Sequence, residues 1–405
     1  MKGPDQPFPS SAETMAVFAE HLSAGKVELY RQLGLDLVMG RREGIRFWDA
    51  YSDRSFINCH CNGGVFNLGH RNPRIVAALR SALDRLDVGN HHLVSGFRAA
   101  LAARLSATTG GRLSGVVFAP GGGEVIDVAI KAARAATGRQ RVVSARGGYH
   151  GHTGLALAAG DPEFRDPFGP NLPGFIQVPF ADLDALAAVV DQGTAAVLLE
   201  PIPATLGMPM PPEGYLGDVA ALCREWGARL IVDEVQTGLG RTGSLWFYEQ
   251  EGITPNALVT GKGLGGGIYP MSAVLLDPEM AAVFHRHPFV HIATFGGAEL
   301  GCVAALAVLD VVEEPAFLAR VRALGEVFEE AFSDLPFELR RRGLMMGLAF
   351  PDEGAAMVAV EALFKAGVFV VWANNDRSVV QFLPPLTLTD GEAEELIDRV
   401  VGAVG

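Results

Sequence analysis

Short apolar runs alternate with longer amphipathic segments through the middle of the chain. Between about residues 114 and 276, each run of mainly β-branched and aliphatic residues leads into a glycine-rich or polar turn and then into a segment with apolar residues at helical spacing. The runs predict strands that are buried on both faces, and the segments between them predict helices. Repeated alternation of this kind predicts an α/β domain with a mainly parallel sheet and helices on both of its faces.

The pattern changes towards both ends of the chain. Residues 1–14 are rich in Pro and Ser and predict a loose arm, and beyond about residue 316 helices alternate with short strands in a smaller α+β unit. We therefore predict three segments. Residues 1–54 form an N-terminal segment of the small domain, 55–296 form the large domain, and 297–405 supply a linking helix and the rest of the small domain.

Composition narrows the functional class. The formal net charge of −13 disfavours binding to the phosphate backbone of nucleic acids, because that needs clusters of Lys and Arg. The sequence has neither an apolar leader nor a run of about 18 apolar residues, so we expect no membrane segment and a cytoplasmic location. Cys59 and Cys61 lack a second pair of ligands, and we expect no metal site.

The most specific candidate chemistry lies in the stretch 229–267. One apolar run ends in Asp233 and Glu234, and a second leads to Lys262 in a glycine cluster. Ligands of parallel sheets bind beyond the carboxyl ends of the strands, so an acid and an amine would face one ligand there. This favours pyridoxal phosphate, which a lysine binds as a Schiff base while an acid keeps the pyridine nitrogen protonated. The alternatives are a metal-binding acid pair and, from Gly-x-Gly-x-x-Gly at 238–243, a nucleotide site.

Other strand ends add groups that suit the same ligand. Gly121, Gly122 and Gly123 precede a helix whose free N–H groups and dipole favour a phosphate, although a tight turn also requires glycine. Tyr149 follows the next strand and suits stacking on a flat ring, but taken alone it is more typical of a packed tyrosine. Glu200 places a carboxylate after a further strand.

In this order the motifs resemble those of the class III aminotransferases. This pyridoxal-phosphate family includes ornithine, acetylornithine, 4-aminobutyrate and ω-amino-acid aminotransferases and glutamate-1-semialdehyde aminomutase. The resemblance covers about residues 30–389 and rests on the stretches GGGEVIDVAIKAAR, GGYHGHTG, LLEPI, LIVDEVQTGLGRTG, VTGKGLGGGIYP and HIATFGG. It implies the fold type I architecture, with a mainly parallel, seven-stranded type of sheet in the large domain and a smaller α+β domain. It also implies pyridoxal 5'-phosphate as cofactor and a homodimer with shared active sites.

The resemblance assigns roles to individual residues. Lys262 is similar to the Schiff-base lysine and Asp233 to the partner of the pyridine nitrogen. The other implied cofactor residues are Tyr149 and Val235 on opposite ring faces, Gln236 near the ring hydroxyl, Gly122 and Gly123 at the phosphate, and Thr294 at the phosphate bound by the neighbouring subunit.

Two departures from the family pattern concern phosphate and substrate. The phosphate loop has glycine at 121–123 where the family has Ser-Gly-Ser or Ser-Gly-Thr, so we predict weaker cofactor retention and expect Gly123→Ser to improve it. Gln381 stands where many members carry an arginine that binds a substrate carboxylate. Either the substrate lacks that carboxylate or another arginine serves, and Arg377 and Arg146 are the candidates, although each is more typical of a solvated or phosphate-side arginine. Glu200 is a further candidate substrate residue, although the usual continuation Gln-Gly-Glu is missing after it.

The predicted activity is transfer of an amino group between an amino acid or amine and an oxo acid by a ping-pong mechanism. The alternatives use the same lysine and acid: an isomerase, racemase or aminomutase, or a lyase or substitution enzyme. A nucleotide-binding protein would rest on the glycines at 238–243 alone.

Overall fold

The computed structural model describes residues 6–89 and 92–405. Within that part of the chain the strands are β1 (Met39–Glu43), β2 (Arg46–Asp49), β3 (Ser55–Asn58), β4 (Gly115–Ala119), β5 (Arg141–Ala145), β6 (Phe175–Val178), β7 (Thr194–Leu199), β8 (Arg229–Asp233), β9 (Ala257–Thr260), β10 (Ser272–Leu276), β11 (Glu338–Arg342), β12 (Met345–Ala349), β13 (Val368–Phe369), β14 (Val371–Trp372) and β15 (Val379–Phe382).

The described part of the chain also contains fifteen α-helices. They are α1 (Ser11–Phe18), α2 (Ala24–Gln32), α3 (Cys61–Gly64), α4 (Pro73–Leu83), α5 (Gly96–Thr108), α6 (Gly122–Thr137), α7 (Gly154–Ala158), α8 (Pro162–Arg165), α9 (Leu183–Ala187), α10 (Tyr215–Trp226), α11 (Pro278–Arg286), α12 (Glu299–Val312), α13 (Pro315–Ala331), α14 (Glu353–Lys365) and α15 (Asp390–Val404). A π-helical turn (Ala19–Ser23) joins α1 to α2, and short 3-10 helices lie at Asp166–Phe168, Ala204–Leu206, Phe247–Glu249 and Lys262–Gly265. Among the described residues, no helix has both the length and the apolarity that a bilayer crossing requires.

A seven-stranded sheet in the order β4-β10-β9-β8-β7-β5-β6 forms the centre of the large domain. Strand β10 runs antiparallel to both of its neighbours, and the other pairings are parallel. The predicted α/β class and the mainly parallel, seven-stranded sheet are therefore confirmed. Because β4 and β5 to β9 run in one direction, the loops after their carboxyl ends meet at one edge of the sheet.

The sheet is buried on both faces, as its continuous apolar strands require. Val197 of β7 and Val232 of β8 pack with α10 on one face. Their neighbours Leu198 and Ile231 pack with α6 on the other face. Successive side chains of a strand point to opposite faces, so a run without polar interruptions fills two cores at once.

Two smaller sheets contain the remaining strands. Their orders are β1-β2-β3-β13 and β11-β12-β15-β14. Strand β13 pairs in parallel with β3, which ties the beginning of the chain to its end. One apolar core, which includes Phe56, Phe328 and Phe382, joins these sheets to α13, α14 and α15. The domain bounds at residues 54 and 296 stay a prediction.

Candidate active site

Lys262 begins a 3-10 helix just beyond the end of β9, and its backbone has an unusual conformation. Its φ is +44°, a left-handed value that a residue with a side chain adopts at an energetic cost. Nζ of Lys262 donates a hydrogen bond of 2.8 Å to Oε1 of Gln236. Burial lowers the pKa of Lys262, while the carboxylates of Glu200 and Asp233 act in the opposite direction. The amine is therefore held at one point and is easier to deprotonate than an exposed lysine.

Asp233, at the end of β8, is held by two hydrogen bonds. Oδ2 lies 2.8 Å from Nδ1 of His150, and Oδ1 accepts from the backbone N–H of Val235 at 3.1 Å. Burial opposes a charge on His150, but the hydrogen bond with Asp233 and the nearby carboxylates outweigh it and raise the pKa of His150. His150 was not among the residues predicted from the sequence, although its place directly after Tyr149, the candidate stacking residue, was an available signal.

Glu234, the neighbour of Asp233, points away from this site and has a structural role. Its carboxylate accepts from the backbone N–H groups of Phe247 and Tyr248 at 2.6 and 2.9 Å. Burial raises the pKa of Glu234 to about 8. The two adjacent acids therefore have different roles: Asp233 contacts His150, and Glu234 binds the backbone at residues 247 and 248.

Glu200 and Tyr149 are joined by a short hydrogen bond. Oε1 of Glu200 accepts from the backbone N–H of Tyr149 at 2.6 Å. Burial raises the pKa of Glu200 to about 7. Tyr149 is 38% exposed, so part of its side chain is open to a ligand. Glu200 therefore fixes the backbone that carries the ring.

The glycine loop 121–123 leads from β4 into α6. Gly121 is the N-cap residue in an extended conformation, and no side chain caps the helix. A Cβ on Gly122 would lie 3.6 Å from Cγ1 of Val235. The first N–H groups of α6 are thus offered to an anion next to Val235, as in other helix N-termini that bind phosphate.

A wall from the N-terminal part of the chain faces Lys262 and was not predicted. All four residues of α3 have positive φ. A Cβ on Gly63 would lie 3.4 Å from Nζ of Lys262 and 3.6 Å from Oε1 of Gln236. Burial, together with nearby Lys262, lowers the pKa of His60 to about 4, so this histidine is neutral near pH 7. The wall next to the amine is therefore neutral, and it has no side chain at residue 63.

The Gly-x-Gly-x-x-Gly motif is part of the protein interior. The guanidinium of Arg241 is fully buried and donates to the carbonyl oxygens of Leu344 and Pro384 and to Oδ1 of Asn67 at 2.6–2.9 Å. Burial lowers the pKa of Arg241 to about 10. The loop connects the two domains and presents no free N–H cradle, so the nucleotide-site interpretation is wrong.

The remaining candidates lie in different surroundings. Arg377 is exposed and pairs with Glu353 at 3.3 Å, and Arg146 is exposed and lines a separate cavity of about 900 Å³. Thr294 is exposed in the loop between α11 and α12. Gln381 is buried in β15, and its Nε2 lies 3.5 Å from the carbonyl oxygen of Trp372. Across the described residues, no group of three or more His, Cys, Asp or Glu is arranged to hold a metal ion.

The residues that meet at the sheet edge fit pyridoxal phosphate. Nε2 of Gln236 is buried beside Lys262 without a hydrogen-bond partner among the described residues, which suits a ring hydroxyl at that point. The uncapped end of α6 suits the phosphate, and Asp233 suits a protonated ring nitrogen. A buried amine, a buried acid and an uncapped helix N-terminus thus lie at one edge of the sheet.

Comparison with known proteins agrees with this geometry. A sequence profile of the class III aminotransferases matches residues 31–404. An uncharacterized aminotransferase from Archaeoglobus fulgidus is 48% identical over 399 residues, which are 97% of this chain and 94% of that protein.

Two solved structures have a similar fold. An (S)-enantioselective ω-transaminase from Thermomicrobium roseum matches with a TM-score of 0.87 and 28% identity, over 97% of this chain and 98% of that one. The ornithine aminotransferase from Toxoplasma gondii, described with partial occupancy of PLP at its active site, matches with a TM-score of 0.89 and 27% identity, over 98% of this chain and 94% of that one. The chain therefore belongs to the class III aminotransferases, which are pyridoxal-phosphate-dependent transferases of fold type I.

Proposed function

We propose that Lys262 binds the cofactor covalently and afterwards moves the proton of the reaction. When bound, pyridoxal phosphate withdraws electrons from the carbon that bears the amine and makes its proton acidic. Nζ of Lys262 then takes this proton as a general base and returns it as a general acid. The lowered pKa of the buried amine supports this role, because a neutral Nζ is needed to accept the proton.

The surrounding residues position the cofactor. Asp233 balances the charge of the protonated ring nitrogen, and Gln236 binds the ring hydroxyl. Val235, which lies beside Gly122, and the partly exposed Tyr149 would hold the ring between them. The backbone N–H groups of Gly122 and Gly123 bind the phosphate. These assignments depend on the convergence of the strand ends described above.

The amino donor, in this proposal, is an amine or an ω-amino compound rather than a dicarboxylic α-amino acid. Two neutral side chains support this donor class. His60 is uncharged near pH 7, and Gln381 stands at the position where many family members carry an arginine that binds a carboxylate. The backbone N–H of Leu383, two residues after Gln381, donates to the carbonyl oxygen of Cys59, which places this strand end beside the wall at residue 60. Arg377 forms an ion pair with Glu353, which argues against Arg377 as the carboxylate-binding arginine.

A donor screen tests this proposal. Primary amines, ω-amino acids and glutamate are compared as donors, with pyruvate and 2-oxoglutarate as acceptors. We expect higher kcat/KM for amines and ω-amino acids than for glutamate. Preference for glutamate by tenfold or more would contradict the proposed donor class. Adding donor without acceptor separates the reaction types, because transfer yields one carbonyl product per site, whereas isomerisation exchanges the α-proton without loss of the amine.

We also propose a cytoplasmic homodimer in which Thr294 reaches the phosphate site of the partner. The loop that holds Thr294 exposes Phe289, Val290 and Phe295, and the adjacent segment before α5 exposes Leu93 and Val94. The two segments lie close together in the chain's fold, since Arg98 in the first turn of α5 donates to the carbonyl oxygen of Gly297 at 2.9 Å. An exposed apolar surface of this kind is typical of an interface, and a second copy is the simplest occupant for a family with shared sites.

A further inference from the structure

The glycine loop lacks the hydroxyl that its family carries, but another hydroxyl lies against it. Oγ1 of Thr153 is 2.8 Å from the position that a Cβ on Gly123 would occupy, and Cγ2 of Thr153 is 3.3 Å from it. A Cβ on Gly151 would lie 2.7 Å from Cα of Gly123. The segment 151–153 is therefore in direct contact with the loop, and only glycine at 123 leaves space for the threonine.

The hydroxyl of Thr153 has no partner within the described part of the protein. Thr153 precedes α7, but its side chain does not cap that helix, and it is exposed. The N-terminus of α6 is uncapped as well, because its N-cap residue is Gly121, which has no side chain. A free hydroxyl and a row of free N–H groups thus meet beside Gly123, where an anion would be bound by both.

We propose that the Thr153 hydroxyl donates a hydrogen bond to the phosphate of the cofactor and replaces the hydroxyl missing from residues 121–123. Residue 123 and residue 153 compete for one space, because a serine at 123 would carry its Cβ to within 2.8 Å of Oγ1 of Thr153. The hydroxyl thus comes from Thr153, in the connection between β5 and α7, and not from the glycine loop. Cofactor retention then need not be weaker, and Gly123→Ser by itself crowds the site instead of improving it. The proposal rests on the phosphate site proposed above at Gly122 and Gly123 and does not depend on the donor class.

The first test measures cofactor affinity without any donor. Thr153→Val keeps the shape of the side chain and removes the hydroxyl, and the matched control Thr137→Val removes a hydroxyl from the far end of α6, where Oγ1 of Thr137 bonds to the carbonyl oxygen of Ala133. Apoenzyme is titrated with pyridoxal phosphate by fluorescence quenching, and the bound phosphate is followed by its ³¹P resonance. We expect Thr153→Val to raise Kd by about 10- to 100-fold, as for a hydrogen bond to a charged group, and to shift the resonance. Thr137→Val leaves both unchanged. Equal Kd values for wild type, Thr153→Val and Thr137→Val would overturn the proposal.

The second test moves the hydroxyl back into the loop. Gly123→Ser alone is expected to leave Kd unchanged or to raise it, and Gly123→Ser with Thr153→Ala is expected to bind more tightly than Thr153→Ala alone. If Gly123→Ser alone tightens binding several-fold while Thr153→Val has no effect, the site lacked a hydroxyl and the proposal is wrong. Borohydride reduction followed by peptide mapping confirms that the cofactor in each variant is attached to Lys262, so a change in Kd is not confused with loss of that bond.

Discussion

Nδ1 of His150 lies 2.8 Å from Oδ2 of Asp233, and both side chains are almost fully buried. The second carboxylate oxygen is bound by the backbone N–H of Val235. Rotation of the carboxylate would break both hydrogen bonds, so Asp233 has one orientation before any cofactor is bound. If Asp233 binds the ring nitrogen as proposed, His150 is a positioning residue that acts on it through Asp233.

Removing His150 should impair the reaction through the electronic state of the ring. We expect His150→Ala to lower kcat/KM by about 10- to 100-fold, as for other residues that orient a catalytic group. His150→Asn should lose less, because its amide N–H can replace Nδ1. The visible absorbance of the bound cofactor, recorded against pH, should shift more in the Ala variant. The control is His21→Ala on an exposed N-terminal helix turn, which should match wild type. Equal losses in both His150 variants with an unmoved absorbance profile would exclude the positioning role.

The chemistry at the strand ends was predictable because each residue follows a buried strand in sequence. Lys262 and Asp233 stand directly after apolar runs, and parallel strands bring such ends together. His150 meets Asp233 across 83 residues, and the wall at Gly63 comes from an element outside the main sheet. No local pattern specifies such pairings, because they depend on how the connections pack. The same reason explains Arg241, whose motif resembles a nucleotide loop although its guanidinium is buried.

Glu200 should make the cofactor-free protein less stable as the pH rises. Its folded pKa of about 7 lies above its ordinary value of 4.5, so between these values the folded state holds a proton that the unfolded state releases. Stability therefore falls as the pH rises through this window. Glu200→Gln removes this loss and keeps an oxygen to accept from the N–H of Tyr149. We expect its unfolding free energy, relative to wild type, to increase by at most about 3 kcal/mol from pH 5 to 8.

Urea unfolding at the two pH values checks this expectation. Glu353→Gln is the matched control, because the Glu353 side chain is half exposed in a surface ion pair and its replacement should change stability by the same small amount at both values. Glu234 is unchanged in all three proteins, so its own titration cancels from the comparison. A difference between Glu200→Gln and wild type that stays constant, or shrinks, from pH 5 to 8 would refute the assignment.

Gln381→Arg should change the substrate preference at a cost in stability. Gln381 is buried in β15, so an arginine there would bring a charge into a buried position. A carboxylate ligand would compensate that charge through a bidentate contact. The reference is Gln381→Met, whose side chain has a similar length and no charge. Compared with that variant, we expect Gln381→Arg to have a KM for 2-oxoglutarate about tenfold lower and a larger rise of Tm when 2-oxoglutarate is added. Identical KM values in the Arg and Met variants would show that residue 381 does not face the substrate.

The exposed apolar loop should hold the dimer together. Phe289→Glu places a charge in the proposed interface, so we expect a lower molar mass by light scattering and weaker cofactor binding. Val358→Glu is the control, because Val358 is an equally exposed apolar residue on α14 in the small domain. A wild-type monomer, or a monomeric Phe289→Glu protein with unchanged cofactor affinity, would contradict the shared site.

Mixed dimers of Lys262→Ala and Thr294→Ala chains test whether Thr294 serves the partner's site. If it does, one site of each mixed dimer combines an intact lysine from one chain with an intact threonine from the other, and the second site lacks both. At limiting cofactor we therefore expect the mixed dimer to regain about half of the wild-type activity, although the Lys262→Ala dimer is inactive and the Thr294→Ala dimer binds cofactor weakly. If Thr294 instead served its own chain, each site of the mixed dimer would lack one of the two residues, and mixing would restore nothing. The amount of activity recovered at limiting cofactor thus separates a shared site from two independent ones.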